Sequence, residues 1–368
     1  MEVKNFIFRA TLEGEGVVNF DDNDAKWQVL KYGNPASKEA YKNKNVKIAK
    51  SSYTFITEDI TEDGELVPRY VRNLKISSNC LRHHIFNVDV RNGRICYNDA
   101  ILASVISSPE YQLQGYLFTS DSIKSDSIKK KSPVTISDAE ETSGAVITPE
   151  LGSVAGDKSE TSLYYTENVG RTAYTFIGAI SPKDIEFLSA DDFFERRGVK
   201  SEWVETDNGL LNLAFKQRYG ELPYTIDYCT ATGNVFTKHI GEKGLHFSEK
   251  YVKELISIFF KKLLSLDISR SKAYAKISRL EVKRVYNAIT DTVVDPKGWI
   301  TISSEEGVDD FLNNTLIHRF WEHCDDDVKS VQDELLQLEL NAKEEKKKKE
   351  EEKKNSKKAK ASKTTSEE

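Results

Sequence analysis

The stretch Arg69 to Phe86, RYVRNLKISSNCLRHHIF, constrains the fold most, because its apolar spacing changes period at Ser77-Ser78-Asn79. Before that triplet, Val71, Leu74 and Ile76 fit a half-buried strand with Arg69, Arg72 and Lys75 reaching solvent. After it, Leu81, Ile85 and Val88 recur at helical spacing, which predicts one buried face and turns Arg82 and His83 the other way. Ser77, Ser78 and Asn79 can each cap the helix, and a helix start presents unpaired backbone N–H groups that favour an anion. The corner reads as a phosphate grip. An ordinary capped helix with surface cations has the same local pattern.

Nucleic-acid binding in this chain has to come from local patches, since the formal net charge is −6 over 368 residues. A second patch lies at residues 251–284, which hold nine Lys or Arg against three acids. There Arg270, Lys272, Lys276 and Arg279, followed by Lys283 and Arg284, alternate with Tyr274 and Tyr286, a mix suited to neutralising a backbone and stacking a base. A solvated cationic face is the plainer reading. Cys80, Cys96, Cys229 and Cys324 are dispersed without a CxxC pair, so neither a zinc knuckle nor a disulfide framework is expected. The sequence predicts no metal, no membrane partner and a soluble, reducing, cytoplasmic setting: the start is not signal-like, and apolar runs such as LISIFF are short.

Along the chain, Phe6 to Leu12 predicts an opening strand, and Ala100 to Ile106 a helix. Strands are expected over Tyr111 to Phe118, Ile180 to Phe187, Leu210 to Phe215 and Tyr224 to Tyr228, and a short turn or helix over Asp191 to Arg196. Thr119 to Leu163 contains no aromatic residue and is rich in Ser, Thr, Lys, Asp and Gly, which predicts a segment with little to bury. Leu163 to Ile177 then reads as a hairpin turning at Glu167-Asn168-Val169-Gly170. The strongest helix signal is Tyr251, Leu255, Ile258, Phe259 and Leu263, capped by Ser248. Phe311 to Trp321 and Val328 to Leu340 are expected as closing helices.

One constellation suggests catalysis: Glu13, Glu15, Asp21, Asp22 and Asp24, expected on the loop after the first strand, where hard oxygen ligands could hold Mg²⁺ near a phosphate. An acidic surface loop is the plainer reading. Adjacent helical histidines point about 100° apart, so His83 and His84 do not make a catalytic pair. No HExxH, GxSxG or GxxxxGK[ST] motif is present.

Lys75, Ile76, Ser77, Ser78, Asn79, Leu81 and Arg82 resemble the signature of the backbone subunit of CRISPR Cascade-type effectors in the RAMP (repeat-associated mysterious protein) superfamily. There a basic residue, a strand and Ser-Ser-Gln or Gly-Ser-Ser lead into an apolar residue, Lys or Arg and a short helix; Asn79 stands where Gln is more usual. The resemblance implies an α+β fold with a ferredoxin-like (RRM-type) palm over residues 1–341, an inserted thumb at about 119–178 and C-terminal helices; composition predicts a Lys/Glu-rich disordered tail at 342–368. The resemblance also implies a non-enzymatic subunit that binds guide RNA through Arg72, Lys75, Ser77, Ser78, Asn79, Arg82 and His83, together with the second basic patch. Copies would form a head-to-tail filament with other effector subunits, recognising target DNA or RNA through the guide, without a cofactor. The target-RNA-cleaving branch of the superfamily implies an alternative, a Mg²⁺-dependent ribonuclease using Asp21 or Asp24. A protein-interaction scaffold without RNA is a further alternative.

Overall fold

The computed structural model describes residues 1–21, 48–49, 51–60, 66–86, 98–120, 123–144, 148–154, 163–191, 196–232, 241–270, 273–286, 298–324, 334, 337–338 and 341–342. The first half supplies β1 (Asn5–Glu15), β2 (Ser51–Ile60), β3 (Leu66–Ile76), α1 (Ser78–Phe86), α2 (Asp99–Ile106), α3 (Pro109–Gln114), β4 (Val134–Ile136), β5 (Ala139–Glu141) and β6 (Arg171–Ile180). The middle supplies α4 (Lys183–Glu186), β7 (Phe187–Ser189), α5 (Leu210–Tyr219), β8 (Tyr224–Ala231), β9 (Glu242–Phe247) and α6 (Glu249–Leu264). The chain closes with β10 (Asp267–Arg270), β11 (Ala273–Val285), β12 (Ile300–Ile302), α7 (Glu305–Asn313) and β13 (Trp321–His323).

This is a mixed helix-and-sheet fold built on a curled antiparallel sheet in the order β10–β11–β1–β6–β5–β3–β2, with β12 on β11 and β4 on β6. β1 is central because its alternation is strict: Phe6, Phe8, Ala10 and Leu12 are fully buried, while Arg9, Thr11 and Glu13 take the other face. Its buried side meets α6 and α7 through edge contacts of Phe6 with Phe260 and Phe311, and of Phe8 with Phe259. Each such ring contributes roughly 1.5–3 kcal/mol on burial. The α6 helix matches its sequence period, and Ser248 accepts from the Tyr251 N–H at its start. A second sheet, β7–β9–β8–β13, is hydrogen-bonded separately and packs into the same core through Leu188, Tyr224, Leu245 and Phe247. No described helix is long and apolar enough to cross a membrane.

Several expectations are corrected. Leu210–Tyr219 is a helix ended by Gly220 in the left-handed region (φ 79°), not a strand. Pro109–Gln114 is helical behind an N-capping Ser108, and the strand begins only at Tyr116. Ile180 to Phe187 contains α4 rather than continuous strand, and Thr315 to Phe320 is not helical. Glu13 and Glu15 lie on β1 itself, not on a loop after it. The expected turn at Glu167 to Gly170 is absent: Leu163–Val169 pairs back onto Thr148–Val154, and the chain then runs on into β6 at the sheet centre. The aromatic-free segment buries more than expected, since Ile128, Val134, Ile136 and Ala139 are buried and β4 and β5 join the main sheet. Val88, Cys96, Lys272 and most of 328–340 and 342–368 lie outside the described residues.

Candidate nucleic-acid interface

The β3–α1 corner forms as its sequence predicts, with Ser77 as N-cap: its Oγ accepts from the Cys80 N–H (3.4 Å) and from Asn19 Nδ2 (3.2 Å). The anion at this helix start is supplied by the protein itself. Asp138, on the link between β4 and β5, accepts the Ser78 N–H at 2.7 Å through Oδ1 and the Lys75 ammonium at 3.0 Å through Oδ2. Partial burial works against its charge, but the Ser78 N–H and Lys75 outweigh it and hold the carboxyl below its usual range. Asn79 is exposed at the first turn.

Arg82 does not face outward as expected. Its guanidinium donates to Val134 O (2.9 Å), Gln114 O (2.8 Å) and Ser132 Oγ (3.2 Å), and lies over the Phe86 ring. It ties α1 to α3 and β4. His83 is half-buried, packs edge-on against His84, and leaves Nδ1 buried without a hydrogen-bond partner. Leu81, Ile85 and Phe86 form the buried side of the helix.

The strand registers join this corner to the second basic patch. Lys75 pairs with Glu140, Glu140 with Thr175, Thr175 with Thr11, and Thr11 with Arg279. Directly opposed residues share a face, so the five form one row across β3, β5, β6, β1 and β11, about 19 Å end to end at ordinary strand spacing. A bulge at Ser278 matters here: Lys276 and Arg279, three apart, would take opposite faces of a regular strand, but the extra residue returns both to the outer face. Lys276 pairs with Glu13, and Glu13, Glu140, Ile177, Lys276 and Arg279 are all exposed.

Carboxylates on this face restrain its cations. Glu281 binds Arg9 at 2.5 Å and Arg279 at 2.8 Å, and the hydrogen bond from Arg9 chiefly keeps its carboxyl below the ordinary range. Lys276 sits 3.3 Å from Asp267. Arg9 and Lys283 lie over the Trp299 ring at 4.8 and 5.3 Å from its centroid, an aromatic contributor that the sequence reading missed because it lies beyond the basic run. Arg72 is at a register position opposite Tyr53 on the β2–β3 ribbon, and Arg270 ends β10. Asp21 is in the two-residue strand Phe20–Asp21, paired with Ile48–Ala49; Asp24 lies outside the described residues.

A family model described as "Type I-Fv CRISPR-associated protein Cas7fv-like" matches residues 2–297. The chain belongs to this family. The resemblance carried by Lys75 to Arg82 thus holds at family level. No curated protein matches. Among solved structures, a chain of a "CRISPR RNA-guided surveillance complex" is similar at 7% identity and TM-score 0.34, over 78% of this chain and 72% of that one. A chain of a "CRISPR RNA-guided surveillance complex, pre-nicking" is similar at 7% identity and TM-score 0.32, over 78% and 80%.

Proposed function

We propose that this Cas7fv-like chain is a guide-RNA-binding backbone subunit of a CRISPR effector complex, and that the outer face of its main sheet is the RNA surface. The observation that carries the reading is the row Lys75–Glu140–Thr175–Thr11–Arg279, which aligns the corner and the second basic patch on one face. Asp138 and Glu281 hold Lys75 and Arg279 in position, and RNA phosphates exchange for these carboxylates on binding, releasing counterions. Contacts of this kind ignore base identity, leaving target DNA or RNA to be read through pairing with the guide.

The order β11–β1–β6–β4/β5, with helices between β1 and β4 and α6 between β6 and β11, supports an RRM-type palm. The ribbon Thr148–Val154 with Leu163–Val169 is the thumb, narrower than 119–178 because the flanking β4, β5 and β6 are built into the sheet. Copies assemble head-to-tail through a heterologous interface, which is what an open filament requires. The test is expression with and without a guide RNA, followed by nucleic-acid extraction and light scattering. Protected RNA in a large, ribonuclease-resistant particle supports the reading; a nucleic-acid-free monomer under both conditions overturns it.

A further inference from the structure

Two histidines and a cysteine converge on one face of the second sheet, from three different strands. Cys229 on β8 opposes His323 on β13, and Cys229 also opposes Glu242 on β9. His246 lies four residues after Glu242 on β9, so period-two alternation returns it to the face of Cys229. One ligand-competent atom from each of Cys229, His246 and His323 lies within 4.8 Å of the other two. Cys229 and His246 are buried, and His323 closes the group from the solvent side. The imidazoles of His246 and His323 are 5.0 Å apart.

Each histidine also has a carboxylate behind it. His323 Nδ1 is 2.9 Å from Asp227 Oδ2, and His246 Nε2 is 3.2 Å from Glu186 Oε1. A carboxylate that accepts one ring N–H fixes the tautomer and leaves the other nitrogen's lone pair for an ion, the usual support of metal-binding histidines. Glu186 is in turn anchored by the Phe320 N–H at 2.8 Å and by Arg319 Nε at 2.9 Å. Arg319 Nη2 also reaches His246 Nε2 at 2.6 Å. Arginine only donates, so an ion on Nδ1 moves the His246 proton to Nε2, toward Glu186, and that Arg319 contact opens while its Nε bond to Glu186 remains.

We propose that Cys229, His246 and His323 form a zinc-class metal site that staples β13, and with it the C-terminal part of the chain, to the second sheet. One sulfur and two imidazole nitrogens suit Zn²⁺ or Co²⁺ and disfavour Mg²⁺ and Ca²⁺, which take oxygen. Tetrahedral zinc needs these donors about 3.3–3.5 Å apart, so the group contracts by up to about 1.5 Å on loading. His323, at the end of a three-residue strand, is the member able to move. The fourth position opens to solvent beside it. The strand has reason to need a staple: β13 is held by three register pairs and by the stack of Trp321 on Phe187 at 4.2 Å. Loading gives the Cys229 proton to solvent and forms a metal–thiolate bond, with no redox change. The absent CxxC gave no sign of this group, because strand pairing brings its residues together across long separations.

The test uses the full chain with any histidine tag removed. Zinc is measured by mass spectrometry after gel filtration, and Co²⁺ is then added to metal-stripped protein. Stoichiometric zinc, a thiolate-to-cobalt charge-transfer band lost in Cys229→Ser, and a Zn²⁺-dependent rise in Tm lost in the solvent-side variant His323→Gln are expected. Substoichiometric zinc without a thiolate band in the wild-type chain overturns the site, as does a band that survives Cys229→Ser. His323→Gln leaves the buried face intact, so it keeps the test decisive if Cys229→Ser does not fold.

Discussion

Lys75 Nζ lies 3.0 Å from Asp138 Oδ2 while the other oxygen of that carboxylate accepts the Ser78 N–H at 2.7 Å, so one side chain satisfies both the cation and the helix start where an RNA phosphate would sit. On the proposed function, Asp138 is an internal stand-in for the RNA phosphate.

Asp138→Asn separates its two roles. The amide oxygen still accepts from Ser78, but the charge pairing with Lys75 is lost. Stability is expected to fall by up to about 1 kcal/mol, the range for a partly exposed pair or cap. RNA retention is expected to rise, because phosphate no longer competes with a carboxylate. Chemical denaturation and filter binding at fixed salt check the two effects; weaker RNA retention would show that Asp138 positions Lys75 rather than occupying its site.

The lowered Asp138 pKa also fixes a pH window. A carboxyl whose folded pKa lies below its unfolded value of 3.8 contributes stability that is fully present above that value and is lost as pH falls through the folded pKa. The expected outcome is an acid-induced loss of Tm below about pH 4 that is smaller in Asp138→Asn. Thermal scans across this window test it.

Arg82→Ala is expected to destabilise the chain by about 2–4 kcal/mol, since it leaves the Val134 and Gln114 carbonyls without their charged donor. Arg82→Lys keeps the charge but cannot reproduce the fork, and should recover less than half of that loss. Any fall in RNA binding by these variants has to be read beside their unfolding curves. An Arg82→Ala protein of unchanged stability that loses RNA binding would assign the residue to RNA after all.

How far the sequence revealed this site follows from the range of each interaction. The β3–α1 corner was legible because Ser77, Leu81 and Ile85 act within one turn of one another, and α6 because its apolar period is unbroken. Leu210 to Phe215 misled because a short apolar run fits either period, though Gly220 marks a helix end. Asn168 and Gly170 have turn chemistry, yet the pairing of Leu163–Val169 with Thr148–Val154 leaves no turn there. Asp138, the partner of Lys75, comes from the segment that composition marked as least able to pack. Neither that pairing nor the Ser278 bulge has a local signature.

Lys130 gives a second pH prediction of the same sign, in the alkaline range. It is buried, donates to Gln112 Oε1 at 2.7 Å, and burial pushes its ammonium down to about 7, with Asp184 opposing the shift. The unfolded chain binds this proton up to about pH 10.5, so between 7 and 10.5 the unfolded state holds more protons and stability rises with pH. Lys130→Met is expected to flatten this rise at a cost of about 1–2 kcal/mol for the unpaired Gln112 oxygen. Urea denaturation at several pH values reads the slope; a slope unchanged by the substitution would assign it to other groups.

Lys276 and Arg279 test the sheet face directly. If each neutralises one phosphate, replacing both by Ala should reduce the slope of log K against log salt by about 1.4 for single-stranded RNA, with the same loss for unrelated sequences. Their ion pairs with Asp267 and Glu281 are mostly exposed on the cationic side, so stability should change by less than about 1 kcal/mol. The useful control is Glu281→Gln, which releases Arg9 and Arg279 together and should strengthen binding. Opposite signs for the two variants would arise only if the phosphate path crosses β1 and β11. An unchanged salt slope in the double variant would move that path off this face, leaving the β3–α1 corner to bind alone.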